Sequence, residues 1–198
     1  MTVEKQPYHH GDLREGLLLA TERALAELPL HEVTLREIAR RAGVSHAAPK
    51  HHFASLGHLL AEVAVRGYED FIATLDLAAD RAADQSAEGR LKAMARAYLR
   101  FASNFPAIYG LMFGKREHIV ATTPRLASAM FAAWDQLEAH VSALIGPAHA
   151  PYGAITVWAN VHGLAMLHLD RKMPPHIDSD IAIESLARTL IAGLRAET

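Results

Sequence analysis

The chain of 198 residues is 51% hydrophobic, carries a formal net charge of −2 and contains no cysteine. That length can bury a core in one large domain or two small ones. The missing cysteines exclude a disulfide framework and thiolate metal sites, and the near-neutral balance excludes a protein coated in basic patches. Residues 1–7 offer no apolar signal region, and no apolar run reaches the ~20 residues of a membrane span. The expectation is a soluble, cytoplasmic chain with no membrane partner.

In chain order the pattern is helical almost throughout. A first helix is expected over 12–28, with Asp12 and Glu15 as a D-x-x-E cap and Leu13, Leu17, Ala20, Ala24 and Leu25 facing inward, stopped by Pro29. Two short helices follow within 34–53. Ser55 caps a long helix to about residue 83, interrupted near Gly67. Further helices are expected over 88–104, 106–113, 124–145, 152–169 and 178–195, with the loop DRKMPPHI at 170–177 between the last two. No alternating strand pattern appears. The fold class is all-α, about nine helices, with a three-helix unit over residues 1–55 and a larger helical body over 56–198. The small unit is of a size at which a lone core is marginal, so it should pack on the long helix.

The stretch TLREIARRAGVSHAAPKHHF, residues 34–53, carries the most information. Thr34 can cap a helix, with Glu37 completing a T-x-x-E box. Leu35, Ile38, Ala39 and Ala42 make a narrow apolar face, and Ala39 suits a close helix crossing. Gly43 ends the helix in the left-handed conformation, Val44 plugs the turn, and Ser45 caps a second short helix carrying His46, Ala47, Lys50, His51 and His52. This is the layout of a helix-turn-helix, whose second helix enters the DNA major groove. An αα-corner with a solvated basic face would give the same local pattern. The charge favours DNA, since Arg36, Arg40, Arg41 and Lys50 face only Glu37 between residues 36 and 52. By that geometry Thr34 and Arg36 contact the phosphate backbone and His46, Ala47 and His51 face the bases. His46, His51 and His52 can also serve as neutral or weakly cationic donors at phosphates, making binding pH-sensitive.

Three runs resemble one family. Tyr8–Arg14 (YHHGDLR), Ile38–Ser45 (IARRAGVS) followed by His52-Phe53, and Trp158–Leu164 (WANVHGL) resemble TetR-family transcriptional regulators, in particular a subgroup with a C-terminal W-x-x-x-H-G signature. The resemblance implies a helix-turn-helix regulator, usually a repressor, working as a homodimer joined by its last two helices on a near-palindromic double-stranded operator. Where the family usually has a phosphate-contacting tyrosine this chain has Lys50, and Leu56 stands where a lysine is often found. Lysine still binds phosphate as a point charge. Pro49 is awkward within a helix.

Apolar residues on the last two helices fit the implied dimer. Ile183, Leu186, Leu190 and Leu194 form a 3-4-4 stripe. The preceding helix is apolar on two sides, with Ile155, Trp158, His162 and Met166 on one and Val157, Val161 and Leu164 on the other. Burial of both helices within one subunit is the alternative.

Residues 98–134 hold a dense aromatic and methionine cluster, Tyr98 and Met130 among it, that can line an apolar effector pocket. The candidates are Phe101, Phe105, Tyr109, Met112, Phe113, Phe131 and Trp134, with Trp158, His162 and Met166 added from the later helix. The bland reading is a packed core, with His162 bonded to a backbone carbonyl and Gly163 allowing close helix contact. Thirteen histidines invite a metal, but His9-His10, His51-His52 and His162 with His168 lack the i, i+4 pairing and carboxylate of a zinc site. No metal, cofactor or catalytic residue is expected, since phosphate loops, nucleophile elbows and cysteine nucleophiles are all missing. A helical small-molecule sensor that does not bind an operator is the remaining alternative.

Overall fold

The computed structural model describes residues 10–114 and 123–196, with side chains from residue 13 onward in the first segment. Tyr8 and His9 of the opening run, and the side chain of Asp12, lie outside the described residues. Within them the chain forms eight α-helices, two 3₁₀ turns and no strand. The helices are α1 His10–Glu27, α2 Leu35–Arg41, α3 Leu56–Asp80, α4 Ala87–Asn104, α5 Pro106–Phe113, α6 Pro124–Ile145, α7 Ala150–Leu169 and α8 Ser179–Ala196. The expected N-terminal helix-turn-helix and C-terminal helical body are both present.

Capping chemistry explains most boundaries. Backbone N–H groups in the first turns donate to Thr34, Ser55, Ser86 and Thr123 at 3.1–3.2 Å, each meeting an otherwise orphaned donor. Asp178 accepts from the N–H groups of Asp180 and Ile181, both at 2.9 Å, at the head of α8. At the first helix the expectation needs correction: α1 begins at His10, so Asp12 lies inside it. Glu15 instead accepts from Arg66 of α3 at 2.8 Å.

Two expectations about irregular helices also change. The segment after Gly43 is a 3₁₀ turn, Ala48–His51, preceded by turn residues, rather than an α-helix capped by Ser45. Ser45 contributes its carbonyl, which accepts from the Ala48 N–H at 3.0 Å. Pro49 sits in the first turn of this segment, where its missing N–H costs nothing. Conversely, α3 runs unbroken through Gly67. A Cβ at Gly67 would stand 2.7 Å from Ile108 Cγ2 and 2.8 Å from Met112 Sδ, so the glycine makes room for α5.

α3 organises the molecule, packing against α1, α4, α5 and α6. One hydrophobic cluster extends from Leu17 in α1 through Leu60 and Phe71 in α3 to Leu194 in α8. The N-terminal unit thus shares its core with the body. Charge pairs reinforce the join: Arg66 reaches Glu15 and Glu22, and Glu62 receives both Arg14 of α1 and Arg125 of α6.

Candidate nucleic-acid interface and effector cavity

The helix-turn-helix is built as its residues dictate. Ile38 and Ala39 are fully buried against the rest of the unit, and Gly43 takes φ +69°, a backbone that costs other residues a Cβ clash. The structure exposes Thr34, Arg36, Ser45, His46, Ala47, Lys50 and His51, and leaves His52 half-buried.

The electrostatics are narrower than four basic residues suggest. Arg40 donates to Glu37 at 2.7 and 2.8 Å and Arg41 at 2.7 Å, with a further Arg41 bond to Glu27 at 2.6 Å. These hydrogen bonds, Arg40's first and Arg41's next, hold the Glu37 carboxyl down at about 2. Glu37 therefore braces α2, and only the Thr34 half of the expected capping box forms. Among the described residues, Arg36 and Lys50 have no ion-pair partner.

In the body, a cavity of about 100 Å³ opens between α3, α4, α6 and α7. Of the residues expected to line a pocket, Phe113, Trp134 and Trp158 do so. Tyr109 and His162 lie just behind the wall and connect to it through Tyr98. Met112 is buried and supplies the carbonyl to which Tyr68 donates at 3.0 Å. The others fall elsewhere. Phe101 stacks edge-on against Phe71 and, with Phe105, borders a separate, more polar groove of about 830 Å³ that includes Glu22 and Asp70. Phe131 is 67% exposed and Met166 38%, both on outer faces.

Tyr98 and Met130 of the aromatic and methionine cluster also line the cavity, whereas sequence reasoning did not assign Tyr68, Phe71, Leu75 and Met94, which form much of the wall, to a pocket. They belong to ordinary apolar helix stripes. Only Tyr68, a polar-tipped residue within such a stripe, offered a signal.

Tyr98, Tyr109 and His162 form a buried polar cluster at the cavity margin. The Tyr98 and Tyr109 oxygens are 3.0 Å apart, and His162 Nδ1 lies 3.0 Å from the first and 2.6 Å from the second. Trp158 stands with Tyr98 in the cavity wall. Burial pushes the Tyr98 phenol far above its ordinary value and the Tyr109 phenol up to about 12, and lowers the His162 imidazole. All three are neutral near pH 7. His162 therefore bonds tyrosine hydroxyls, not a backbone carbonyl.

The last two helices divide differently from expectation. Ile183, Ala187, Ile191 and Leu194 are buried in the subunit's own core, while Leu186 and Leu190 are only partly covered. The 183-186-190-194 stripe is therefore mostly spent within the subunit. The outward face of α7 carries Tyr152, Ile155, Ala159, Met166 and Leu167, with Gly163 partly exposed between them, and α8 adds Ile181. A Cβ at Gly163 would meet nothing within 4 Å, so this glycine serves no close packing inside the subunit.

Among the described residues no three His, Asp or Glu side chains gather as a metal requires, and no helix is long and apolar enough to cross a membrane. Residues 17–63 match the bacterial regulatory proteins of the tetR family, and residues 91–192, just over half the chain, match the tetracyclin repressor-like C-terminal domain. No curated protein sequence matches. Among solved structures, a protein of unknown function from Rhodococcus sp. RHA1 is 33% identical, with a TM-score of 0.84 and coverage of 96% of this chain and 98% of that one. A TetR family transcription regulator from Marinobacter aquaeolei VT8 is 19% identical at TM-score 0.63, covering 91% and 94%. The regulator FadR from Bacillus subtilis, in complex with stearoyl-CoA, is 12% identical at TM-score 0.71, covering 90% and 98%; these two likenesses show a shared fold. A tetR-type reading head continuous with a repressor-like body places this chain in the TetR family of bacterial regulators.

Proposed function

We propose that the protein is a repressor that binds a near-palindromic operator as a homodimer and releases it when a small apolar molecule enters the body. The observation that carries this reading is the pairing of an exposed Arg36–Lys50 face with a separate aromatic cavity along one continuous helix, α3. In this reading residues 1–55 are the reading head and 56–198 the effector and dimer body. Thr34, Arg36 and Lys50 hold phosphates, while His46, Ala47 and His51 face bases and Ser45 and His52 flank them. The second subunit covers the outward face of α7 and α8, where Ile155, Gly163 and Met166 lie. Two-fold symmetry then sets the heads roughly 34–36 Å, or a multiple, apart.

Control follows from linkage. A ligand that favours the DNA-incompetent head spacing weakens DNA binding by its differential affinity for the two states. α3 lines the cavity with Tyr68, Phe71 and Leu75 and pairs with α1 through Glu62 and Arg66. α5, which holds Tyr109, packs on both α1 and α3. A change at the cavity therefore reaches the head through two helices. The W-x-x-x-H-G subgroup is read the same way: Trp158 lines the cavity and His162 joins the Tyr98–Tyr109 pair at its margin.

Selection of bound sequences from a random DNA pool tests the proposal. An enriched near-palindrome is expected. A folded dimer that enriches nothing would favour a ligand sensor without an operator, for which the short 3₁₀ turn at Ala48–His51 is the supporting observation.

A further inference from the structure

We propose that Glu37 restrains the sequence-independent part of DNA binding by keeping Arg40 off the phosphates. This rests on reading Arg36 as a phosphate contact. Arg40 lies four residues after Arg36, one turn on along the same face of α2 and about 6 Å further along its axis. Its side chain is 65% exposed. A guanidinium so placed would ordinarily add a phosphate contact, and such contacts raise affinity for every sequence alike.

Glu37 occupies that guanidinium. Arg40 Nε donates to Glu37 Oε2 at 2.8 Å and Arg40 Nη2 to Oε1 at 2.7 Å, a fork on both carboxylate oxygens. Arginine takes a phosphate with the same fork, so Glu37 and DNA compete for one set of donors. The carboxylate forgoes another use to do this. Three residues after Thr34, it stands where a glutamate reaches back to the N-cap N–H, yet it turns forward to the arginines.

Arg41 is held more firmly. Its Nε donates to Glu37 Oε1 at 2.7 Å and its Nη1 to Glu27 at 2.6 Å, and its side chain is only 17% exposed. Loss of the Glu37 charge therefore frees Arg40 and leaves Arg41 on Glu27.

The test measures the salt dependence of binding by the full-length protein to a duplex of mixed sequence and to the operator enriched from a random pool. Glu37→Gln keeps the side-chain shape and leaves one neutral acceptor, which a charged phosphate displaces. It should steepen the slope of log affinity against log salt by about 0.9 on both duplexes, about threefold more weakening between 50 and 200 mM salt. Arg40→Ala alone should leave the slope unchanged, and combined with Glu37→Gln it should cancel the gain. An ion pair that only supports α2 would lower the melting temperature of Glu37→Gln without changing its slope, and that result would overturn the proposal. A gain that survives Arg40→Ala would overturn it too. So would a slope reduced by about 0.9 in Arg40→Ala alone, a measurement that stands whether or not Glu37→Gln folds. The expected slopes on mixed sequence without any enriched operator would overturn the operator reading and leave this proposal standing. No binding to either duplex would overturn both.

Discussion

The hydroxyl of Tyr109 lies 2.6 Å from Nδ1 of His162, joining α5 to α7 across the margin of an apolar cavity. A bond donated by this hydroxyl requires an unprotonated Nδ1. Burial lowers the His162 pKa from its ordinary value of 6.5. The unfolded chain then takes up this proton at a pH where the folded chain refuses it. Stability from His162 is complete above pH 6.5 and declines as pH falls from there toward the lowered folded value. Thermal melts from pH 8 to 5 should show this decline, and His162→Gln should remove that component. A His162→Gln variant with an unchanged pH profile would contradict this role of His162.

Gly67→Ala tests the contact between α3 and α5. Its Cβ would intrude to 2.7 Å from a branched Ile108 methyl, and overpacking of this kind costs about 1–3 kcal/mol. Urea unfolding should register a loss of that order. A gain of helix propensity without loss would show that α5 can move aside freely.

Gly163→Leu separates folding from assembly. Within the subunit nothing lies near the new Cβ, and leucine is the better helix former. The subunit should fold with undiminished helicity while sedimentation shows a monomer. A dimer that persists would place the subunit contact elsewhere.

Arg36→Ala and Lys50→Ala should each weaken binding to all DNA sequences alike and reduce the salt slope by about 0.9 per lost phosphate contact. His51→Ala should instead relax the preference at one base position. A change in sequence preference with Arg36→Ala would reverse these assignments, as measured by binding to a panel of single-base operator variants.

Where a backbone group needed a specific partner, the chain announced its structure. Thr34, Ser55 and Gly43 mark a cap, a cap and a positive φ, and each occurs at the position its chemistry indicates. Gly67 was misread because a glycine that breaks a helix and one that admits a neighbour look alike until Ile108 is beside it. The short 3₁₀ segment reflects Pro49 and the two turn residues before it, a competition that propensity alone does not decide. For the cavity, aromatic density drew attention to 98–134, but local pattern cannot tell which side of a stripe borders a void. Phe131 and Phe113 are equally apolar, and one faces outward while the other lines the wall. Ile183 and Leu194 illustrate the same limit: their spacing predicts a buried face and is silent on whether the burial is within or between subunits.

The most direct test of the central claim is a salt titration of binding to the operator enriched from a random pool. The account predicts a linear fall of log affinity with log salt, with a slope of several units that reflects a dimer's phosphate contacts, and loss of binding in Gly163→Leu. Affinity insensitive to salt, or unaltered in a monomeric variant, would contradict a dimeric DNA-binding regulator.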